Sequence, residues 1–77
     1  MESSGQPGIK IRFGKAVRRR RRELDISQEE LAERSGLHRT YISSVERGER
    51  SPTLDSIYQI SKALDIKIVE LFTLYGI

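Results

Sequence analysis

The chain of 77 residues has 14 lysines and arginines against 11 acidic residues, which gives a formal net charge of +3. This length suits one domain and leaves too little chain for a two-lobed enzyme with a buried cleft. The sequence has no cysteine and no apolar run near the ~20 residues of a membrane span, which excludes a disulfide or cysteine-zinc scaffold and favours a cytoplasmic protein without membrane contact.

Residues 1–8 are rich in Ser, Gly and Pro and predict a flexible N-terminal tail. After the tail, apolar residues recur with a helical period, and no strand-like alternation is sustained. Five helical segments are expected, over about residues 11–24, 27–36, 38–47, 54–64 and 67–74. The predicted fold is therefore a compact all-α bundle of five helices, in a single domain over residues 9–77.

Capping signals fix several helix boundaries. Ser27 and Glu30 form a capping-box pattern, in which the serine oxygen accepts from the N–H three residues on and the glutamate reaches back. Gly36 can adopt the left-handed conformation that ends a helix, and Thr53 is a suitable N-cap. The apolar stripe of the fourth helix comprises Leu54, Ile57, Ile60, Ala63 and Leu64.

Positive charge is concentrated in the first helix. The segment from Lys10 to Arg22 has eight basic residues and no acid, whereas the chain from Glu23 onward has six basic and ten acidic residues. A basic end on a small domain suits a polyanionic partner. It also suits a solvated helix face, and composition alone leaves both interpretations open.

The second and third helices are separated by only residues 35–38. Such a short turn forces a close, steep crossing, which the small Ala32 and the turn residue Gly36 would allow. Ile42 and Val45 are three apart and would face inward. The outward face of the third helix then holds polar residues: Arg39, Thr40, Ser43, Ser44 and Arg47.

These residues resemble the helix-turn-helix of the Cro/lambda-repressor-like family. The matching stretches are Ile-Ser-Gln-Glu-Glu-Leu-Ala-Glu-Arg-Ser-Gly-Leu at 26–37, Tyr-Ile-Ser at 41–43 and Val-Glu-Arg-Gly at 45–48. Within the family, stand-alone domains of this length resemble restriction–modification controller proteins, which residues 39–43 and 46–50 look most like, and phage Cro-like repressors. The resemblance implies a sequence-specific regulator of transcription that binds double-stranded DNA as a homodimer on a pseudo-palindromic operator, without catalysis.

The sequence departs from the family pattern at two helix exits. Asp25 follows the first helix where glycine is usual, and Asp65 stands at the matching exit of the fourth. Aspartate tolerates the left-handed region better than most residues, so we expect the fold to survive at a small cost.

By the same resemblance, the third helix would enter the major groove. Arg39 can give two hydrogen bonds to guanine, and the Thr40 methyl can touch a thymine methyl. Tyr41 is expected at the DNA but could instead pack on the first helix. The expected base contacts are Arg39, Thr40, Tyr41, Ser43 and Ser44, although either serine could merely leave room for the groove wall.

Phosphate contacts are expected around the N-terminus of the second helix, where free N–H groups and the helix dipole favour an anion. Ser27 and Gln28 lie there, and Arg47 and Arg50 flank the third helix and would reach the backbone. The full set of expected phosphate contacts is Ser27, Gln28, His38, Arg18, Arg47 and Arg50. The single histidine, His38, could instead cap the third helix, and no metal site or cofactor is expected. The resemblance also implies a partly buried ion pair between Arg21 and Glu46.

The C-terminal segment has more apolar groups than one small core can hide, so we expect a twofold dimer with recognition helices ~34 Å apart. The expected interface residues are Ile68, Leu71, Leu74, Tyr75 and Ile77. The segment could instead cap the core or, in an antitoxin-like module, bind a different protein. A DNA-bound dimer could block RNA polymerase or hold it, and the sequence does not choose between repression and activation.

Overall fold

The computed structural model describes residues 8–77, so the expected tail lies outside the described residues except for Gly8. Gly8 precedes the first helix as its N-cap, and its carbonyl accepts a hydrogen bond from the Arg12 N–H at 3.1 Å. The five helices are α1 (Ile9–Glu23), α2 (Gln28–Ser35), α3 (Arg39–Glu46), α4 (Leu54–Ala63) and α5 (Ile68–Leu74). The all-α prediction is confirmed, and α1 begins earlier than expected.

The core lies where α1 packs on α3 and α5, α2 packs on α3 and α4, and α4 packs on α5. Leu54 is 78% exposed, so its assignment to the buried stripe of α4 is wrong. It stands at the first position of α4, and the stripe proper holds the buried Ile60 and Leu64. The buried apolar residues are Phe13, Ala16, Val17, Ile26, Leu31, Ala32, Ile42, Val45, Ile60, Ala63, Leu64 and Leu71.

The predicted caps are present, with one exception. The Ser27 and Thr53 hydroxyl oxygens each accept from the backbone N–H three residues on, at 3.0 Å. The Glu30 carboxylate, however, accepts from the Arg34 guanidinium at 2.7 Å, one helical turn later. A charge-assisted bond to arginine is stronger than a bond to a neutral N–H, and Glu30 therefore supplies no capping box.

The two aspartates at helix exits adopt the left-handed conformation that the family pattern predicts. Asp25 has φ of 58° and Asp65 has φ of 54°. The second exit is also held from α1, because Arg20 donates to the carbonyl oxygens of Leu64 and Asp65 at 3.0 and 3.1 Å. An arginine of the basic run thus donates hydrogen bonds to carbonyl oxygens at the end of α4 that have no partner within the helix.

Candidate nucleic-acid interface

The turn between α2 and α3 is tight because Gly36 adopts φ of +74°. The N–H groups of Gly36 and Leu37 both donate to the carbonyl oxygen of Ala32, at 2.9 and 3.2 Å. Ala32 is buried in the same cluster as Ile42 of α3. The inner faces of the two helices therefore meet in the core, and the outer face of α3 is left to solvent.

The first turn of α3 presents its side chains outward. Arg39 and Thr40 are exposed, as the sequence predicts. His38 caps the helix, because its Nδ1 accepts a hydrogen bond from the Thr40 N–H at 3.1 Å. An accepting Nδ1 places the proton of the neutral imidazole on Nε2, which can donate to another partner.

The two serines of α3 differ in their surroundings. Ser44 is only 9% exposed, and its hydroxyl donates to the Tyr41 carbonyl oxygen at 2.9 Å. Its single hydrogen is thereby used inside the helix, which favours the alternative that Ser44 leaves room for the groove wall rather than contacting a base. The Ser43 oxygen accepts from the Arg47 guanidinium and keeps its own hydrogen for another partner.

Below the outer face, α1, α2 and α3 are joined at a buried carboxylate. The Glu46 side chain is fully buried, and Arg21 donates to it from Nε at 2.6 Å and from Nη2 at 3.0 Å. Gln28 donates from Nε2 to the same carboxylate at 3.0 Å, and the Arg18 Nε lies 3.6 Å from it. The structure therefore brings together four residues that the sequence assigns to two separate roles.

This arrangement keeps Glu46 ionised. Burial by itself raises the pKa of Glu46, but hydrogen bonds from Arg21 and Gln28 and the charges of Arg21 and Arg18 lower it below its ordinary value. The hydrogen bond to Glu46 raises the pKa of Arg21. Sequence reasoning missed the contact of Gln28, because the two residues are 18 positions apart.

Two further arginines follow α3. Arg47 is exposed and pairs with Glu49 at 3.1 Å, and the hydrogen bond from Arg47 lowers the pKa of Glu49. The Arg50 guanidinium carbon lies 5.0 Å from the centre of the Tyr41 ring. These two arginines place positive charge beside the outer face of α3.

The C-terminal segment only partly matches the expected dimer surface. Leu71 is fully buried in its own core, so its assignment to the interface is wrong. Val69 and Leu74 are 63% and 68% exposed, and Val69 was missed because seven residues of α5 do not show which apolar face turns inward. Ile68 is half-buried, so part of its side chain belongs to the core and part remains for a dimer surface.

The end of the chain folds back on the protein. The half-buried Tyr75 donates its hydroxyl to the Glu23 carboxylate, and the Arg19 guanidinium carbon lies 5.4 Å from its ring centre. The Ile77 N–H donates to the Phe72 carbonyl oxygen at 3.0 Å. Tyr75 and Ile77 thus cap the core of their own chain, which is the alternative that the sequence left open.

Among residues 8–77 no group of three or more His, Asp or Glu side chains is arranged to hold a metal ion. Within the same residues, no helix has the length and apolar character needed to cross a membrane.

A helix with a polar, cation-flanked outer face, held on a second helix by a left-handed turn, defines a helix-turn-helix DNA-binding protein. The model of the family described as Helix-turn-helix matches residues 17–71, and the chain belongs to this family. It is a DNA-binding regulator of transcription and not an enzyme.

The chain is similar over most of its length to restriction–modification control proteins. It is 48% identical over 69 residues to control protein C.SmaI of Serratia marcescens, covering 90% of this chain and 82% of the relative. The crystal structure of the controller protein C.AhdI from Aeromonas hydrophila superposes with a TM-score of 0.79 at 44% identity, covering 82% and 96% of the two chains. The C.Esp1396I tetramer, solved on its natural 35 base-pair operator, matches with a TM-score of 0.84 at 33% identity, covering 91% and 92%.

Proposed function

We propose that the protein is a restriction–modification controller that binds a pseudo-palindromic operator as a homodimer. The observation that carries the proposal is the first turn of α3, where Arg39 and Thr40 are exposed above a capped helix end. A helix in the major groove reads bases from this turn. Similarity to controllers over nearly the whole chain supports the same class of function.

Base recognition is assigned to the outer face of α3. Arg39 has the planar fork that recognises guanine O6 and N7, and Thr40 offers a methyl group to thymine. Tyr41 and Ser43 are half-buried beside them, with polar atoms able to face the groove. Ser44 is not part of this set because it is buried.

Phosphate recognition is assigned to the N-terminus of α2, to His38 and to arginines of α1 and of the segment after α3. Gln28 gives one amide hydrogen to Glu46, which leaves the second for a phosphate oxygen. Ser27 accepts in its cap and keeps its hydroxyl hydrogen, while His38 presents Nε2–H. The remaining phosphate contacts are Arg18, Arg47 and Arg50.

Dimerisation is assigned to the exposed side of α5. Val69 and Leu74 form the apolar part of this surface, with Ile68 at its edge. Tyr75 and Ile77 contribute only the parts of their side chains that the core leaves exposed. A twofold axis here would space two α3 helices by about one DNA turn, ~34 Å. The tetramer of C.Esp1396I on its operator supports oligomeric binding.

We propose that the dimer acts on transcription through RNA polymerase, which it would either exclude from the promoter or hold beside it. We propose this partner and a cytoplasmic location on the basis of the DNA-binding role. The controllers described above give the antitoxin-like alternative no support.

Selection of bound duplexes from a random-sequence pool, at two salt concentrations, tests the proposal. The expected result is a consensus with twofold symmetry and an affinity that falls steeply with salt, because several phosphates are neutralised. Binding without an enriched sequence, or an enriched sequence without symmetry, contradicts the proposal.

A further inference from the structure

The loop that follows α3 returns over the helix it has left. Gly48 adopts φ of +73°, and the Glu49 N–H donates to the Ser44 carbonyl oxygen at 3.0 Å. This turn reverses the chain direction within the length of the loop. Arg50 therefore comes back against α3, although it is six residues beyond Ser44 in sequence.

Arg50, Ser44 and Tyr41 form a closed set of contacts. The Arg50 Nε donates to the Ser44 hydroxyl oxygen at 3.2 Å, and that hydroxyl donates to the Tyr41 carbonyl oxygen at 2.9 Å. The guanidinium carbon also lies 5.0 Å from the centre of the Tyr41 ring, within the range of a cation–π contact. Ser44 thus fixes the Nε edge of the guanidinium, and the guanidinium carbon lies within cation–π distance of the Tyr41 ring.

The ring of Tyr41 is held between this guanidinium and the protein. Tyr41 packs against the core on one side and is half-buried, so Arg50 covers part of what the core leaves open. A tyrosine with a fixed ring presents its edge and hydroxyl at one place on the DNA. A tyrosine that samples several rotamers presents its hydroxyl at several places, so its preference for one base pair is averaged out.

We propose that Arg50 is a positioning residue, which holds the Tyr41 ring and thereby sharpens sequence discrimination at the base pair that faces Tyr41. This inference rests on the proposed function. This positioning role can coexist with a phosphate contact. The Nε–H donates to Ser44, and the N–H groups of the two terminal nitrogens remain available to a phosphate. One side chain would then serve both affinity and specificity.

The test uses Arg50→Lys, which keeps the positive charge but loses the plane and the Nε–H. We expect discrimination at the Tyr41-facing base pair to fall about fivefold or more, because lysine has neither the plane nor the Nε–H that hold the tyrosine ring. In a Tyr41→Ala background, Arg50→Lys should cause no further loss of discrimination. Arg34→Lys is the matched control, since this exposed arginine lies on α2 and pairs with Glu30.

A measurement on the free protein is independent of DNA. The Arg50 δ protons should show an upfield ring-current shift in the NMR spectrum, which disappears in Tyr41→Leu. Additive losses in the double variant, or ordinary δ-proton shifts in the wild type, overturn the inference and leave the proposed function standing. A wild-type protein that selects no consensus overturns the proposed function itself, and the inference with it.

Discussion

The backbone carbonyl oxygen of Val45 lies so close to Gly14 that a Cβ atom at position 14 would stand 2.3 Å from it. The Glu46 carbonyl oxygen would be 2.9 Å from the same atom. The middle of α1 therefore reaches the end of α3 only because residue 14 lacks a side chain. The contact between Arg21 and Glu46 is made across this same junction.

Gly14→Ala should destabilise the protein by about 2–3 kcal/mol or more, because both clashing atoms belong to the backbone and cannot rotate away. Urea unfolding followed by circular dichroism measures the loss. Lys15→Ala, an exposed neighbour on the same helix, should stay within ~0.5 kcal/mol of the wild type. Equal midpoints for the two variants would show that α1 can move away from α3 at little cost.

Gly36 and Gly14 show which features of the fold the sequence could predict. Gly36 ends a helix, and that role has a local signal in the residues around it. Gly14 is needed because of a backbone more than thirty residues away, and a mid-helix glycine gives no local sign of that contact. Helix positions and the turn were therefore predictable, whereas the closest approach between helices was not.

The candidate site also contains residues that helical periodicity could place and residues that only tertiary packing places. Arg39 and Thr40 could be placed outward from the period of α3 alone. The adjacent Ser43 and Ser44 differ in burial, and the loop after α3 brings Arg50 to Ser44, a contact that helical periodicity does not describe. On α5, the sequence could not tell the buried Leu71 from the exposed Val69 for the same reason: the packing partner decides.

Removal of the buried Glu46 carboxylate should strongly reduce the stability of the protein. Glu46→Ala leaves the largely buried Arg21 without its partner, and we expect a loss of ~3–5 kcal/mol in the free energy of unfolding. Chemical denaturation gives the value. Glu49→Ala, which removes an exposed partner of Arg47, is the control and should change stability by less than about 1 kcal/mol. Comparable losses in both variants would contradict a special role for the buried pair.

Stability should also depend on pH through Glu46. Its folded-state pKa is lowered, so its contribution is fully present above the ordinary glutamate pKa and is lost as pH falls through the folded-state pKa. The free energy of unfolding of the wild type should therefore fall more steeply on acidification than that of Glu46→Gln, which cannot ionise. Unfolding curves at several acidic pH values measure the difference, and parallel profiles would refute it.

Arg39→Ala should change which sequences are bound while leaving the fold intact. Its side chain is exposed, so the unfolding free energy should stay within ~0.5 kcal/mol of the wild type. Loss of a bidentate contact to guanine should remove about 1–3 kcal/mol of discrimination at one position of each half-site. Repeating the duplex selection with this variant checks the result, with Arg34→Ala as the control. An unchanged consensus would exclude base reading by Arg39.

Two substitutions on α5 distinguish the proposed dimer surface from the core. Val69→Glu places a charge on the exposed side, and we expect a folded monomer of 8.9 kDa where the wild type gives twice that mass. Leu71→Ala empties a core position and should cost ~2–5 kcal/mol of stability. Light scattering at micromolar concentration and thermal unfolding distinguish the two effects, because only the first variant should keep its stability as a monomer. A wild type found only at the monomer mass, or a Val69→Glu variant that remains dimeric, would remove this surface from the proposed assembly.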